Sequence, residues 1–359
     1  MPESLLKWVR PEIRDLDAYK VADARGLIKL DAMENPYALD PAATQRWADA
    51  VAAASINRYP DPVASGLKKA VKRYMQPPLG TSMIFGNGSD ELIQMLAMTV
   101  SSPGRCVLSL EPGFVMYRLI TEFTGMDYVG VPLKQDAQID LFTTLQAIAE
   151  HQPAVIFIAY PNNPTGNCFR DVDIEEIIKA APGIVVLDEA YHPFAQKSWL
   201  GRLSDYDHLV VMRTVSKLGL AGLRLGVLFG HPLLLGEVDK VRLPYNINVL
   251  TQAAATSVID ESDVLEQQAA DIREERARMF REFRSIDGVE VFSSDANFIL
   301  FRLQEKPATE VFESIREQGV LIKNMRANEG LLANCLRVTV GKPEENDAFF
   351  AALRSSLGS

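Results

Sequence analysis

Lys217 stands in "TVSKLGLAGLRLG", a glycine-rich stretch that also carries the hydroxyls of Thr214 and Ser216 and the guanidinium of Arg224. An amine in that company can attack a carbonyl, and the hydroxyls and guanidinium suit a phosphate. Most lysines are solvated surface residues, but this one follows an apolar run and lies beside a glycine turn rather than on a charged face. Upstream, "IVVLDEAYH" ends an apolar run in Asp188, with Tyr191 just beyond it. An acid there is costly to bury without a partner, unless it caps a helix. "AVIFIAYPNNPTG" leads another run into Asn163, whose amide can donate from a turn held by proline and glycine, or can belong to a plain strand-to-helix connection. "MIFGNGSDELIQ" opens a helix at Ser89 and Asp90. Backbone N–H groups at a helix start attract phosphate, although a simple cap would look the same.

These residues end or follow short apolar runs. "RCVLSL", "MDYVGVPL", "AVIFIAY", "GIVVLDEA", "HLVVMRTV" and "RLGVLFG" are nearly continuous, as strands buried on both faces are. Helical patterns such as "DELIQMLAMTVS" separate most of them, which is the signature of strand-helix-strand units. The pattern predicts an α/β fold, with a large domain over residues 41–250 built on a mostly parallel sheet sandwiched by helices. In such sheets ligands gather beyond the carboxyl ends of the strands, where the residues above fall. Residues 1–40 mix charges with single apolar residues and read as an N-terminal arm and the start of a small domain. Residues 251–359 begin with the long charged helical stretch "VLEQQAADIREERARMFREFRS" and continue as a smaller α+β domain.

Composition narrows the function classes. Among 359 residues, 37 basic against 47 acidic side chains give a formal charge of -10, which argues against nucleic acid as a partner. Cys106, Cys168 and Cys335 form no CxxC pair and read as reduced thiols. His151, His192, His208 and His231 are scattered without metal-ligand spacing, so no metal is expected. No apolar run approaches the roughly 20 residues that span a bilayer, and the start lacks a secretory pattern. The expectation is a cytoplasmic protein that does not engage a membrane.

The order of "GNGSDELI", "PNNPTG", "DEAY" and "SKLGLAGLRLG" along nearly the whole chain resembles the fold-type I aminotransferases that use pyridoxal phosphate. Within them it is similar to the histidinol-phosphate aminotransferase family, a likeness supported by "LDAMENPY", "NRYPDP", "LPYNINVLTQAA" and "NCLRVTVG". The resemblance implies that Lys217 forms a Schiff base with the cofactor aldehyde and then shuttles a proton. It implies that Asp188 pairs with the pyridine nitrogen, and that Asn163 and Tyr191 donate to the phenolic oxygen. The phosphate would be held by the backbone at Ser89 and Asp90, by Thr214 and Ser216, and by Arg224. Phe114, in "EPGFVMY", would stack on the ring, where many relatives carry a tyrosine. Tyr59 matches a tyrosine that reaches the partner subunit's cofactor phosphate, so a homodimer with shared active sites is implied.

Arg337 matches the arginine that grips the α-carboxylate of glutamate, a bidentate match of guanidinium to a planar anion. Without the resemblance it would pass for a strand arginine on a solvated face. Lys323 and Arg326 are candidates for the substrate phosphate; the family usually carries an arginine where Lys323 stands. Tyr19 and Asn35 are expected in the pocket wall. The implied reaction moves an amino group between glutamate/2-oxoglutarate and histidinol phosphate/imidazole-acetol phosphate. An aromatic or other amino-acid aminotransferase, or a phospho-amino-acid decarboxylase of the same superfamily, would use the same cofactor residues. A nucleotide-binding module without catalysis would lack a use for Lys217 and Asp188, and no G-x-G-x-x-G follows the first strand.

Overall fold

The computed structural model describes residues 3–18, 21–327 and 329–358. The short apolar runs become one sheet of seven strands. In chain order these are β1 (Ser82–Asn87), β2 (Cys106–Glu111), β3 (Asp127–Pro132), β4 (Val155–Ala159), β5 (Ile184–Asp188), β6 (Leu209–Thr214) and β7 (Leu225–Gly230). Across the sheet the order is β1-β7-β6-β5-β4-β2-β3. β7 is antiparallel to both neighbours, β1 and β6, and the remaining pairings are parallel. The mostly parallel sheet expected from the runs is therefore present, with one reversed strand.

Alternation along each strand feeds two cores. Ile156, Ile158, Val185 and Leu187 face one apolar layer, while Val155, Phe157, Val186 and Val210 face the other. Each such side chain contributes about 1.5–3 kcal/mol by leaving water. β3 departs from the double burial expected of its run: Asp127, Gly130 and Pro132 are exposed. It is the sheet's edge, covered on fewer sides than the central strands.

Four helices matter for the site: α1 (Gly88–Val100), α2 (Met116–Phe123), α3 (Val249–Ile259) and α4 (Asp263–Phe283). α3 packs on the helices Pro41–Ala52 and Ser65–Met75. Val258, Ile259 and Leu265 thus join the core of the large sheet, whereas Ala269, Ile272, Met279 and Phe283 join a separate core. Packing onto the large sheet runs past residue 250 into the first turn of α4, and the rest of that long helix serves the smaller unit. That unit is built on an antiparallel sheet of β8 (Val289–Val291), β9 (Phe298–Leu303), β10 (Lys323–Asn324) and β11 (Cys335–Thr339), in the order β10-β11-β9-β8. Ile28–Lys29 pairs in parallel with Val320–Leu321, so the chain's start is woven into the same unit as its end. The arm before it carries two one-turn helices, and the Arg10 guanidinium donates to the Phe123 carbonyl of α2.

Candidate active site

Parallel strands put their carboxyl ends on one edge, and the reversed β7 contributes its beginning to that same edge. Asn163 lies beyond β4, Asp188 closes β5, Thr214 closes β6, and Arg224 immediately precedes β7. β1 leads straight into α1, which brings Ser89 and Asp90 to the same place. Together with Phe114, Tyr191, Ser216 and Lys217 these residues line one cleft at the strand ends, where small-molecule sites of α/β sheets form.

The two asparagines of "PNNPTG" divide the work. Asn162 locks the turn: its side-chain amide donates to the Pro112 carbonyl (3.0 Å) and the Thr165 hydroxyl (2.8 Å), and its backbone carbonyl accepts from Gly166 N–H (2.8 Å). Asn163 faces the cleft instead. Its Nδ2 donates to the Tyr191 hydroxyl (3.1 Å), and its Oδ1 accepts from Arg337 Nη1 (2.5 Å). Tyr191 meets Phe298 of the smaller unit edge-on, with ring centroids 5.1 Å apart. The side chain is thereby held by both units, its hydroxyl by Asn163 and its ring by Phe298.

Asp188 is 4% exposed. Its carboxylate accepts from the Tyr117 hydroxyl at 2.7 Å and from Ala190 N–H at 3.1 Å. Burial pushes its pKa up to about 6, although both hydrogen bonds pull the other way. Its two donors are neutral, so the acid is suited to a cationic partner. Lys217 Nζ donates to the Ala32 carbonyl at 3.2 Å. Burial first, and then the charge of Arg337, lower this amine to about 8, within reach of its neutral, nucleophilic form at ordinary pH.

At the other end of the cleft the chain is drawn tight. A Cβ at Gly88, where φ is +79°, would sit 2.5 Å from Arg224 Nη2, and one at Gly226 would sit 2.7 Å from the Gly88 backbone. Only glycines allow the turn bearing Arg224 to approach the helix start so closely. Arg224 Nη2 donates to Asp90 Oδ2 at 3.3 Å. The Thr214 hydroxyl lies 2.9 Å from the Ser216 hydroxyl and accepts from Ser216 N–H at 3.1 Å. Backbone N–H groups, two hydroxyls and a guanidinium so placed form an anion cup.

Arg337, on β11, is 7% exposed; besides Asn163 it donates to the Asp31 carbonyl at 3.1 Å and lies over the Phe298 ring. Lys323 is its cross-strand partner, so both side chains leave the same face of the sheet. Burial and Arg337 lower the Lys323 amine. Arg326 is exposed, in a left-handed turn with φ of 52°. Asn35 comes to the lysine loop: its amide donates to the Leu218 carbonyl (3.2 Å) and to Gln268 Oε1 (2.9 Å). Tyr59 is 81% exposed and stacks on Tyr245, with centroids 4.5 Å apart. Tyr19 lies outside the described residues.

The residue pattern did not single out Tyr117, the Ala32 carbonyl, or the pair behind the strand ends. Glu189, wholly buried, accepts two hydrogen bonds from Arg213 (2.9 and 2.8 Å) and one each from the Ser198 hydroxyl and Trp199 N–H. Because Glu189 follows Asp188 and Arg213 precedes Thr214, this pair ties together the two strands that carry the acid and the anion cup. "DEA" beside "MRT" was the available signal, two opposite charges on adjacent apolar runs. Arg213→Leu should destabilise the protein by about 3–5 kcal/mol in urea denaturation, since it strands a buried carboxylate. The double replacement Arg213→Leu with Glu189→Leu should recover much of that loss. A single replacement that costs under about 1 kcal/mol would show that the pair is unimportant.

The sequence matches the family described as aminotransferase class I and II over residues 25–353. Histidinol-phosphate aminotransferase 2 of Nitrosococcus oceani is 52% identical over 353 residues, covering 98% of both chains. Histidinol-phosphate aminotransferase 1 of Ralstonia nicotianae is 51% identical over 354 residues, covering 97% of this chain and 94% of that one. Among solved structures, histidinol-phosphate aminotransferase from Sinorhizobium meliloti in complex with pyridoxal-5'-phosphate superposes with a TM-score of 0.85 at 23% identity, covering 98% of each chain. That likeness extends the shared fold over the whole length.

Proposed function

The chain belongs to the histidinol-phosphate aminotransferases within the aminotransferases of class I and II, and from that premise we propose how its own residues carry the amino group between glutamate and imidazole-acetol phosphate. It is a transaminase of histidine biosynthesis that works with pyridoxal phosphate. The observation that carries the proposal is the meeting of Lys217 and Asp188 in one cleft with an anion cup. The donor set fits the cofactor: an amine lowered to about 8, a buried acid whose donors are neutral, and glycines that clear the helix start.

When bound, pyridoxal phosphate supplies an aldehyde that takes up amino groups and a ring that accepts electrons from the carbon losing its proton. Lys217 Nζ would be the base in our reading: lowered by burial and by Arg337, it can hold a proton taken from the substrate's α-carbon. Asp188 would accept from the protonated ring nitrogen. Asn163 Nδ2 and the Tyr191 hydroxyl would orient the ring oxygen, Phe114 would cover the ring, and the cup from Ser89 to Arg224 would hold the phosphate. Arg337 takes the glutamate carboxylate, with Asn163 Oδ1 and the Asp31 carbonyl fixing the guanidinium. Lys323, on the same face as Arg337, receives the phosphate of the second substrate, with Arg326 near it.

We assign the active form as a homodimer, supported by Tyr59 and Tyr245 lying stacked and exposed, where a second copy can use them. Among the described residues no helix is long and apolar enough to cross a membrane, and we assign the enzyme to the cytoplasm. The decisive experiment loads the cofactor with an amino group from glutamate and then offers a panel of keto acids. Imidazole-acetol phosphate should be the preferred acceptor. Preference for phenylpyruvate would make this an aromatic aminotransferase, and release of carbon dioxide a decarboxylase.

A further inference from the structure

Resting on the reading of the cleft as the cofactor site, we infer that Tyr117 is a positioning residue for Asp188: its hydroxyl holds the carboxylate ionised and in one orientation, while its ring backs Phe114. Tyr117 is 1% exposed. It sits one turn beyond Phe114 at the start of α2, where its N–H donates to the Phe114 carbonyl at 3.1 Å. Its ring stacks on Phe157 of β4, with centroids 4.7 Å apart and planes 8° apart. Phe114 meets it edge-on at 5.5 Å and 85°. Packed on these sides, the phenol is held where its hydroxyl reaches Asp188 Oδ2 at 2.7 Å.

The other oxygen of that carboxylate takes Ala190 N–H, so each oxygen has one donor and the plane of the acid is set. The titratable groups facing Asp188 are Tyr117 from α2, Asp90 from α1, and Glu189 and Tyr191 from its own strand end, with Lys217 lining the same cleft. Glu189 is turned to Arg213, and Asp90 accepts from Arg224. Among the described residues, Tyr117 is therefore the one side-chain donor favouring the charged acid. A phenol donating to a carboxylate is a charge-assisted bond, weak only if the acid is protonated. Removing it while keeping the ring lets Asp188 take up a proton at higher pH, and a neutral acid no longer stabilises a cationic ring nitrogen.

The test is Tyr117→Phe, which keeps both ring contacts. Cofactor-free protein is titrated with pyridoxal phosphate by equilibrium dialysis between pH 5 and 9. The acid side of the affinity profile should move up by about one pH unit, with binding about fivefold weaker at pH 6, approaching tenfold at pH 5, and nearly unchanged at pH 8, as loss of a hydrogen bond to a charged group implies. Tyr117→3-fluorotyrosine, a stronger donor, should move the profile the other way. In an Asp188→Asn background the Phe replacement should change affinity less than about twofold, because the two residues act as one unit. A Tyr117→Phe profile that superposes on wild type, or one lowered equally at every pH, overturns the inference. If the Phe variant does not fold, the fluorinated protein decides: an unmoved profile overturns it, a downward shift supports it. Wild-type protein that fails to bind pyridoxal phosphate would instead overturn the reading of the cleft itself.

Discussion

Lys217→Ala is expected to leave a folded protein whose transamination is slower by on the order of 10⁴-fold or more, the scale at which enzymes lose a covalent nucleophile. Folding should survive because the side chain makes one modest hydrogen bond, to the Ala32 carbonyl. Removing an amine that burial already disfavours as a cation costs little. Borohydride should fix the cofactor irreversibly on the wild-type residue and on nothing in the variant. A second readout follows from the lowered amine. Since the neutral form attacks, the rate at which cofactor-free protein couples to pyridoxal phosphate should rise about tenfold per pH unit below about 8 and level off above it. Wild-type turnover by the alanine variant, or coupling that keeps rising to pH 10 as an ordinary lysine would, defeats the assignment.

Asp188→Asn should slow the reaction by about 10²- to 10³-fold, the usual effect of removing one preorganised electrostatic partner. Shape is retained, because the amide oxygen can still accept from Tyr117. Stability should move in the opposite direction. The folded-state pKa of Asp188 is raised from 3.8 to about 6, so folding favours the protonated acid. Cofactor-free wild type therefore loses stability as pH rises from about 4 to about 6, and stays lower above that. The loss is on the order of 3 kcal/mol by the linkage relation. Asparagine lacks this ionisation, so the variant should be the more stable cofactor-free protein at pH 8 and the less active loaded enzyme. Urea denaturation at pH 5 and pH 8 measures the first effect, and a glutamate half-reaction the second. A variant less stable than wild type at pH 8 would mean that the acid is already compensated in the empty cleft.

Much of the site was legible because its chemistry depends on side-chain type at strand ends. Asn163, Asp188, Thr214, Ser216 and Lys217 each follow or close an apolar run, Arg224 opens one, and the fold carries each of them to one edge. Other parts were not legible, for a physical reason in each case. The Ala32 carbonyl that holds Lys217 is a backbone group, and a backbone group has no letter in the sequence. Tyr117 reads as one more apolar residue in a helix; its role depends on a hydroxyl that points across the sheet to a residue 71 positions away. Asn35 reads as a pocket residue from its motif, yet its amide is directed to Leu218 and Gln268, because those groups are what the fold brings within reach.

The residue pattern alone determined the class of fold and the order of strand and helix, and it marked Lys217, Asp188, Thr214, Ser216 and Arg224 as candidates whose roles came from the family resemblance. Period and spacing encode the fold class and the order directly, since an apolar run becomes a buried strand wherever it is covered. Only the tertiary structure decided that β7 runs backwards and so delivers Arg224 to the shared edge. It alone joined the chain's beginning to its end, placing the Asp31 and Ala32 carbonyls against Arg337 and Lys217. Those outcomes depend on strand direction, burial and distances between residues far apart in the chain, and burial is also what moves Asp188 and Lys217 toward neutral pH.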